Sequence, residues 1–82
     1  MEADVVGAAR QPVWNSVDLG QIIRARRKKL GYTQVQIAAM MGVSPRLIGE
    51  IERGRGTVAV QTVLDLCTGL GIDLFPVGRG EE

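Results

Sequence analysis

The sequence predicts an all-α fold of four to five short helices, closed by one short strand. Three observations predict it. Apolar residues recur three and four positions apart in four successive segments, the spacing of one helix face. A glycine follows each segment, at Gly31, Gly42, Gly54 and Gly71, where a helix would stop. The last apolar run, residues 72–77, instead alternates in part and is rich in strand-forming side chains.

Residues 1–13 carry no sustained period and read as a loose arm, in which Val5 and Val6 are the pair suited to strand pairing. Ser16 is the expected N-cap of the first helix, with Trp14 just upstream to pack over its start. Leu19, Ile23, Arg27 and Leu30 then fall on one face, with Ile22 beside it. Arg24, Arg26, Arg27, Lys28 and Lys29 load the last turns with cations, which suits the negative end of the helix dipole. Thr33 followed by Gln36 is a capping box, and the second helix runs from there to about Met41. Ile37, Ala38 and Met41 form its apolar face. Ser44 and Pro45 open the third helix as N-cap and first helical residue, and Ile48 and Ile51 give its buried side.

Arg55, Gly56 and Thr57 read as a loop. The fourth helix is expected over residues 60–69, with Val60, Val63, Leu64 and Cys67 as its buried stripe. Ala59 stands at its cap position and brings no side-chain acceptor. Pro76 restricts the run 72–77 to a sheet edge. No other strand is predicted, so its expected partner is its own copy in a dimer. Residues 78–82 are a tail, which leaves residues 14–71 as the domain proper.

The chain has 82 residues, room for one small domain and none for a cleft between domains. With one Trp, one Tyr and one Phe, its core must be aliphatic. The absence of histidine removes the commonest general base and the commonest metal ligand. Cys67 is alone, so it forms neither an internal disulfide nor a thiolate cage, and its place on an apolar face reads as a packed thiol. No nucleophile–base pair can be assembled; an enzyme, a metal and a cofactor are not expected. The early apolar run Val5–Ala9 follows Glu2 and Asp4 and is too short for a signal segment. No stretch approaches the roughly 20 apolar residues of a membrane span, and a cytoplasmic location is expected.

The net charge of +1 hides a division. Residues 10–55 hold nine of the ten Lys and Arg against Asp18, Glu50 and Glu52, an excess of six positive charges. The remainder carries a deficit of five. A basic middle between acidic ends reads either as a surface facing a polyanion or as a solvated charged face.

Residues 34–53 have the pattern of a helix-turn-helix. Ala38 is small where the two helices must cross, Gly42 takes the sharp turn, and Val43, Ile48 and Ile51 fill the wedge opposite Ile37 and Met41. At this point the chain resembles the Xre/phage-repressor helix-turn-helix family. The resemblance is carried by Ile23-Arg24-Ala25-Arg26-Arg27, Tyr32-Thr33-Gln34, Ile37-Ala38, Gly42-Val43-Ser44 and Ile51-Glu52-Arg53-Gly54, and spans about residues 17–72. Within that family it is most similar to antitoxins of the HipB type. The cues are Leu19-Gly20-Gln21-Ile22-Ile23-Arg24, Thr62-Val63-Leu64, Leu70-Gly71-Ile72 and the strand after the fourth helix. The resemblance implies a λ-repressor-like DNA-binding domain that takes double-stranded operator DNA. It implies a homodimer joined partly through the strand residues Ile72, Leu74 and Phe75, and a HipA-like kinase toxin as a second partner. The alternatives are a stand-alone phage-type or restriction–modification regulator, and a protein-interaction adaptor that has left DNA behind.

The third helix should enter the major groove. With Ile48 and Ile51 inward, Pro45, Arg46, Gly49, Glu50 and Arg53 are expected to face outward. Arg46 is the best base reader, since its fork matches guanine O6 and N7. Glu50 either accepts from cytosine N4 or holds Arg46 one turn away. Gly49 exposes backbone to a base or merely tolerates packing, and Pro45 meets a thymine methyl or a protein neighbour. Gln34 and Ser44 open their helices, where free amides favour anions, and the resemblance implies that both touch DNA phosphate. Arg53 and Arg55, near the end of the third helix, can reach phosphate too. Arg27 shares the apolar face of the first helix, and Glu52 lies one turn beyond Ile48. A buried charge persists only when matched, so the two are expected to form a structural salt bridge, which the resemblance also implies.

Overall fold

The computed structural model describes residues 11–80. The expectations for Val5, Val6 and the rest of the arm before residue 11, and for the tail residues 81–82, lie outside the described residues. Among the described residues four helices follow one another: α1 (Ser16–Lys29), α2 (Gln34–Met41), α3 (Pro45–Glu52) and α4 (Val60–Gly69). The longest has 14 residues, and no described helix is long and apolar enough to cross a membrane.

The helix starts follow from side-chain chemistry, with one correction. Asn15, not Ser16, is the N-cap of α1: its side chain accepts from the Asp18 amide at 2.8 Å. Asp18 in turn accepts from the Trp14 amide at 2.9 Å. Asn and Ser are equally good caps, so neighbouring candidates could not be separated by type. Ser16 instead donates its hydroxyl to the Gly54 carbonyl at 2.6 Å, tying the start of α1 to the end of α3. Trp14 does not pack over the helix start; it is 70% exposed, with the Arg79 guanidinium 5.6 Å from its ring centre. Thr33 and Gln36 close the capping box in both directions, and Ser44 caps α3 by accepting from the Leu47 amide. Ala59 stands at the start of α4 without a side-chain bond.

All four helices end with the same pair of reverse hydrogen bonds. At α2 these run from Val43 to Ala38 at 3.0 Å and from Gly42 to Ala39 at 3.3 Å. Gly42 reaches φ +72° to make them, a left-handed conformation that a side chain would strain.

The core is Ile23, Ile37, Ala38, Ile48, Ile51, Leu66, Cys67 and Leu70, with Leu19, Tyr32, Met41, Val43, Leu47, Val58, Val63 and Ile72 around it. Each fully buried aliphatic side chain contributes about 1.5–3 kcal/mol of transfer energy. α3 packs against both α1 and α2. Gly20 sits at the crossing of α1 with α3, where a Cβ would lie 2.5 Å from the Ile51 carbonyl oxygen and 2.6 Å from that of Glu52. Only glycine lets the two backbones meet there.

Two apolar assignments need correction. Leu30 was expected on the buried face of α1 but is exposed, because α1 ends before it and Tyr32 packs on the core instead. On α4 Leu66 and Cys67 are buried and Val63 is half-buried, with Leu70 buried just beyond the helix; Val60 and Leu64 are exposed. α4 is apolar on two overlapping faces, and spacing alone does not say which one the chain covers.

No strand is present among the described residues. Beyond α4 the chain continues without helix or ladder, with Ile72 held against the core and Leu74, Phe75 and Val77 exposed. A strand is defined by its partner, and nothing in the described chain lies alongside residues 72–77 to supply one.

Candidate nucleic-acid interface

The site is anchored by a buried ion pair. Arg27 Nε donates to Glu52 Oε2 at 2.6 Å and Arg27 Nη2 to Oε1 at 3.0 Å. The third nitrogen, Nη1, donates to the Tyr32 carbonyl at 2.7 Å, so the guanidinium clasps α3 and the loop before α2 together. Gln34 Nε2 adds a bond to Glu52 Oε1 at 3.1 Å. The hydrogen bond to Glu52 raises the Arg27 pKa further. Burial pushes the Glu52 carboxyl up, but hydrogen bonds from Arg27 and Gln34 outweigh it and leave the group below its ordinary value. One end of α3 is thereby fixed relative to α1 and α2.

The opposite end of α3 is open. Pro45 and Ser44 are exposed, and the Arg46 side chain keeps 86% of its free exposure. Arg46 Nε donates to Glu50 Oε2 at 3.3 Å, one helical turn away. That contact uses the inner nitrogen. Nη1 and Nη2 make no hydrogen bond to the described residues and keep their donors available. Glu50 is thus in contact with Arg46 within the chain. Ser44 spends its oxygen lone pair on the Leu47 amide, and its hydroxyl proton is still free to donate.

Gly49 was expected to face outward, and it is buried. A Cβ there would lie 3.2 Å from Arg53 Nη1 and 3.7 Å from both polar atoms of the Gln34 side chain. The Arg53 side chain thus folds back over Gly49 toward Gln34. Arg24, Gln34, Gly49, Glu52 and Arg53 line a polar notch of about 230 Å³. Arg55 is exposed beyond α3.

The basic run on α1 divides into separate duties that spacing did not distinguish. Arg27 is buried in the ion pair. Arg26 Nε donates to the Leu70 carbonyl at 2.8 Å, binding α1 to the end of α4 where a cation complements the helix dipole. Arg24, Lys28 and Lys29 are exposed. Sequence reasoning also passed over Gly20. The available signal was its cost: a glycine inside a helix forfeits about 1 kcal/mol relative to alanine and so asks for a packing reason. Cys67 is buried, and burial pushes its thiol pKa up, as for a packed group with little thiolate character.

A family model described as helix-turn-helix matches residues 23–76. The uncharacterized HTH-type transcriptional regulator YazB of Bacillus subtilis is 42% identical over 63 residues, which cover 77% of this chain and 91% of that protein. The uncharacterized HTH-type transcriptional regulator y4mF of Sinorhizobium fredii is 31% identical over 65 residues, 79% of this chain and 86% of that one. Among solved structures, a HipB–O4 20mer complex superposes with a TM-score of 0.76 at 17% identity, covering 85% of this chain and 99% of that chain. A HipA–HipB–O2–O3 complex superposes with a TM-score of 0.77 at 17% identity and the same coverage. At that identity the likeness establishes a shared fold.

Proposed function

The chain belongs to the helix-turn-helix family, and we propose that it is a sequence-specific DNA-binding transcriptional repressor acting as a homodimer. The observation that carries this reading is the outer surface of α3. Its start is free of the rest of the protein, and Arg46 stands there exposed with two guanidinium nitrogens unspent. A planar fork suits bidentate binding of a guanine edge. Pro45 lies beside it for an apolar contact with a thymine methyl. Ser44, Arg53 and Arg55 are accessible for phosphate. The two relatives named as HTH-type transcriptional regulators support the same reading.

In a homodimer two copies of α3 enter successive major grooves of an inverted repeat. The segment 72–77, with Ile72, Leu74 and Phe75, is the proposed seam, pairing with its copy. The protein is further proposed to be the antitoxin of a HipA-like kinase, repressing its own operon. The resemblance in sequence cues and the shared fold with HipB in a HipA–HipB–O2–O3 complex favour this over a stand-alone regulator.

The test is a salt titration of binding to a duplex from the DNA upstream of its own gene and to a random duplex. Specific binding should weaken steeply with salt, as counterion release requires. Arg46→Ala should lose discrimination between the duplexes by about 1–3 kcal/mol while keeping its fold. Equal affinity of the unaltered protein for both duplexes defeats the sequence-specific reading. A neighbouring reading frame with no kinase-like product counts against the antitoxin assignment alone.

A further inference from the structure

We infer that Gly49 is a positioning residue that creates a single phosphate-binding notch from Arg24, Gln34 and Arg53, with no base contact of its own. The inference deepens the DNA-binding reading above and rests on it. Gly49 is on α3 yet buried, and what covers it is the Arg53 guanidinium and the Gln34 amide. Its missing Cβ opens the floor on which Arg53 lies. A Cβ there would lie 3.2 Å from Arg53 Nη1, closer than side chains ordinarily pack, so the guanidinium would have to give way by a few tenths of an ångström.

The notch has the charge and the donors for one phosphate. Arg24, Arg27 and Arg53 bring three positive charges around the single carboxylate of Glu52, an excess of two. Glu52 does not spoil it, because Arg27 grips both carboxylate oxygens from the buried side. No described carboxylate lies within ion-pair distance of Arg24 or Arg53, although both line the same recess. Gln34 spends one amide proton on Glu52 Oε1 and keeps the other. Two guanidinium groups and an amide N–H converge on one recess whose net charge is positive, which disfavours a cation and suits a tetrahedral anion. The recess opens beside α3, so the phosphate nearest an inserted recognition helix is its natural occupant.

The role separates cleanly from base reading. A phosphate contact contributes about 0.9 to the slope of log affinity against log salt, whereas a base contact alters discrimination between sequences. The experiment measures anisotropy with the upstream duplex and a random duplex across a salt series. The chains compared are the unaltered protein, Arg24→Ala, Arg53→Ala, Gly49→Ala and Gly49→Ala with Arg53→Ala, each checked by thermal melting. Arg24→Ala and Arg53→Ala should each flatten the slope by about 0.9 per chain bound and weaken both duplexes alike. Gly49→Ala should flatten it as Arg53→Ala does, and the double variant should lose no more than either single one. If Gly49→Ala keeps the full slope and instead loses discrimination, the inference is overturned. Should that variant not fold, Arg24→Ala decides: an unchanged slope overturns the inference equally. If the unaltered protein binds neither duplex, the DNA-binding reading itself fails and takes this one with it.

Discussion

Glu52 is 6% exposed and ionised, a state that water would favour and a protein interior opposes. It survives because Arg27 and Gln34 supply three hydrogen bonds to its two oxygens. Removing one partner leaves the other buried and uncompensated. Glu52→Ala or Arg27→Ala should each cost about 3–5 kcal/mol by denaturant unfolding, whereas Arg27→Met combined with Glu52→Leu should recover most of that loss. The pair also sets a direction in pH. The folded-state pKa of Glu52 is depressed. Its stabilisation is therefore full above the unfolded carboxyl value of about 4.3 and is lost as pH falls through the lower folded value. Unfolding curves collected across that acid range should show a loss of stability in the unaltered protein that the double variant lacks. An acid profile identical in both would remove the pair from any role in acid unfolding. The pair was legible because the two charges sit at apolar register positions of their helices. Arg26 was not, since nothing in local spacing marks a side chain that reaches 44 residues onward to the Leu70 carbonyl.

At the scale of elements, the sequence states its stops more firmly than its starts. Each helix terminates at the glycine that spacing indicated, because a left-handed turn demands one residue type at one position. Starts are looser: Asn15 and Ser16 both satisfy the chemistry of a cap, and tertiary contact decides, here by taking the Ser16 hydroxyl for the Gly54 carbonyl. Gly49 shows the same limit within the site. Its position on α3 was legible, but the back-folding of Arg53 over it is a side-chain choice that periodicity does not encode. Among the described helices, the start of α4 is the one that lacks a side-chain bond. Ala59 already has the extended backbone of a cap, with φ −57° and ψ 133°, and offers nothing to the first-turn amides. Ala59→Ser should then stabilise the protein by about 1 kcal/mol through a hydroxyl bond to the second or third helical amide. A thermal midpoint that does not rise would mean that those amides are already satisfied by water at no cost.

For the whole molecule the question is what lies against its second apolar surface. The described chain is flat, 39 × 30 × 16 Å, and eight residues make up its buried apolar core. A core of that size leaves a small domain marginal on its own. Meanwhile Val60 and Leu64 share a face of α4, and the segment after it exposes Leu74, Phe75 and Val77. Phe75, at 76% exposure, contributes little to the folding of one chain, and replacing an exposed side chain ordinarily changes stability by no more than about 0.5 kcal/mol. In the proposed homodimer the same residue lies in the seam, where an aromatic anchor is worth about 2 kcal/mol or more. The two cases diverge under dilution. A chain stabilised by its copy has a melting temperature that rises with protein concentration, since association draws the folded state forward by mass action. Phe75→Ser should abolish that dependence and shift sedimentation toward a single chain, while leaving the Arg27–Glu52 anchor and the α3 surface intact. Because each half-site is then held separately, the variant should also lose the cooperative part of its affinity for an inverted repeat and bind one half-site as well as two. A melting temperature that ignores about a hundredfold dilution, in both proteins, would mean that α4 and the run 72–77 carry their apolar side chains for some other purpose than self-pairing.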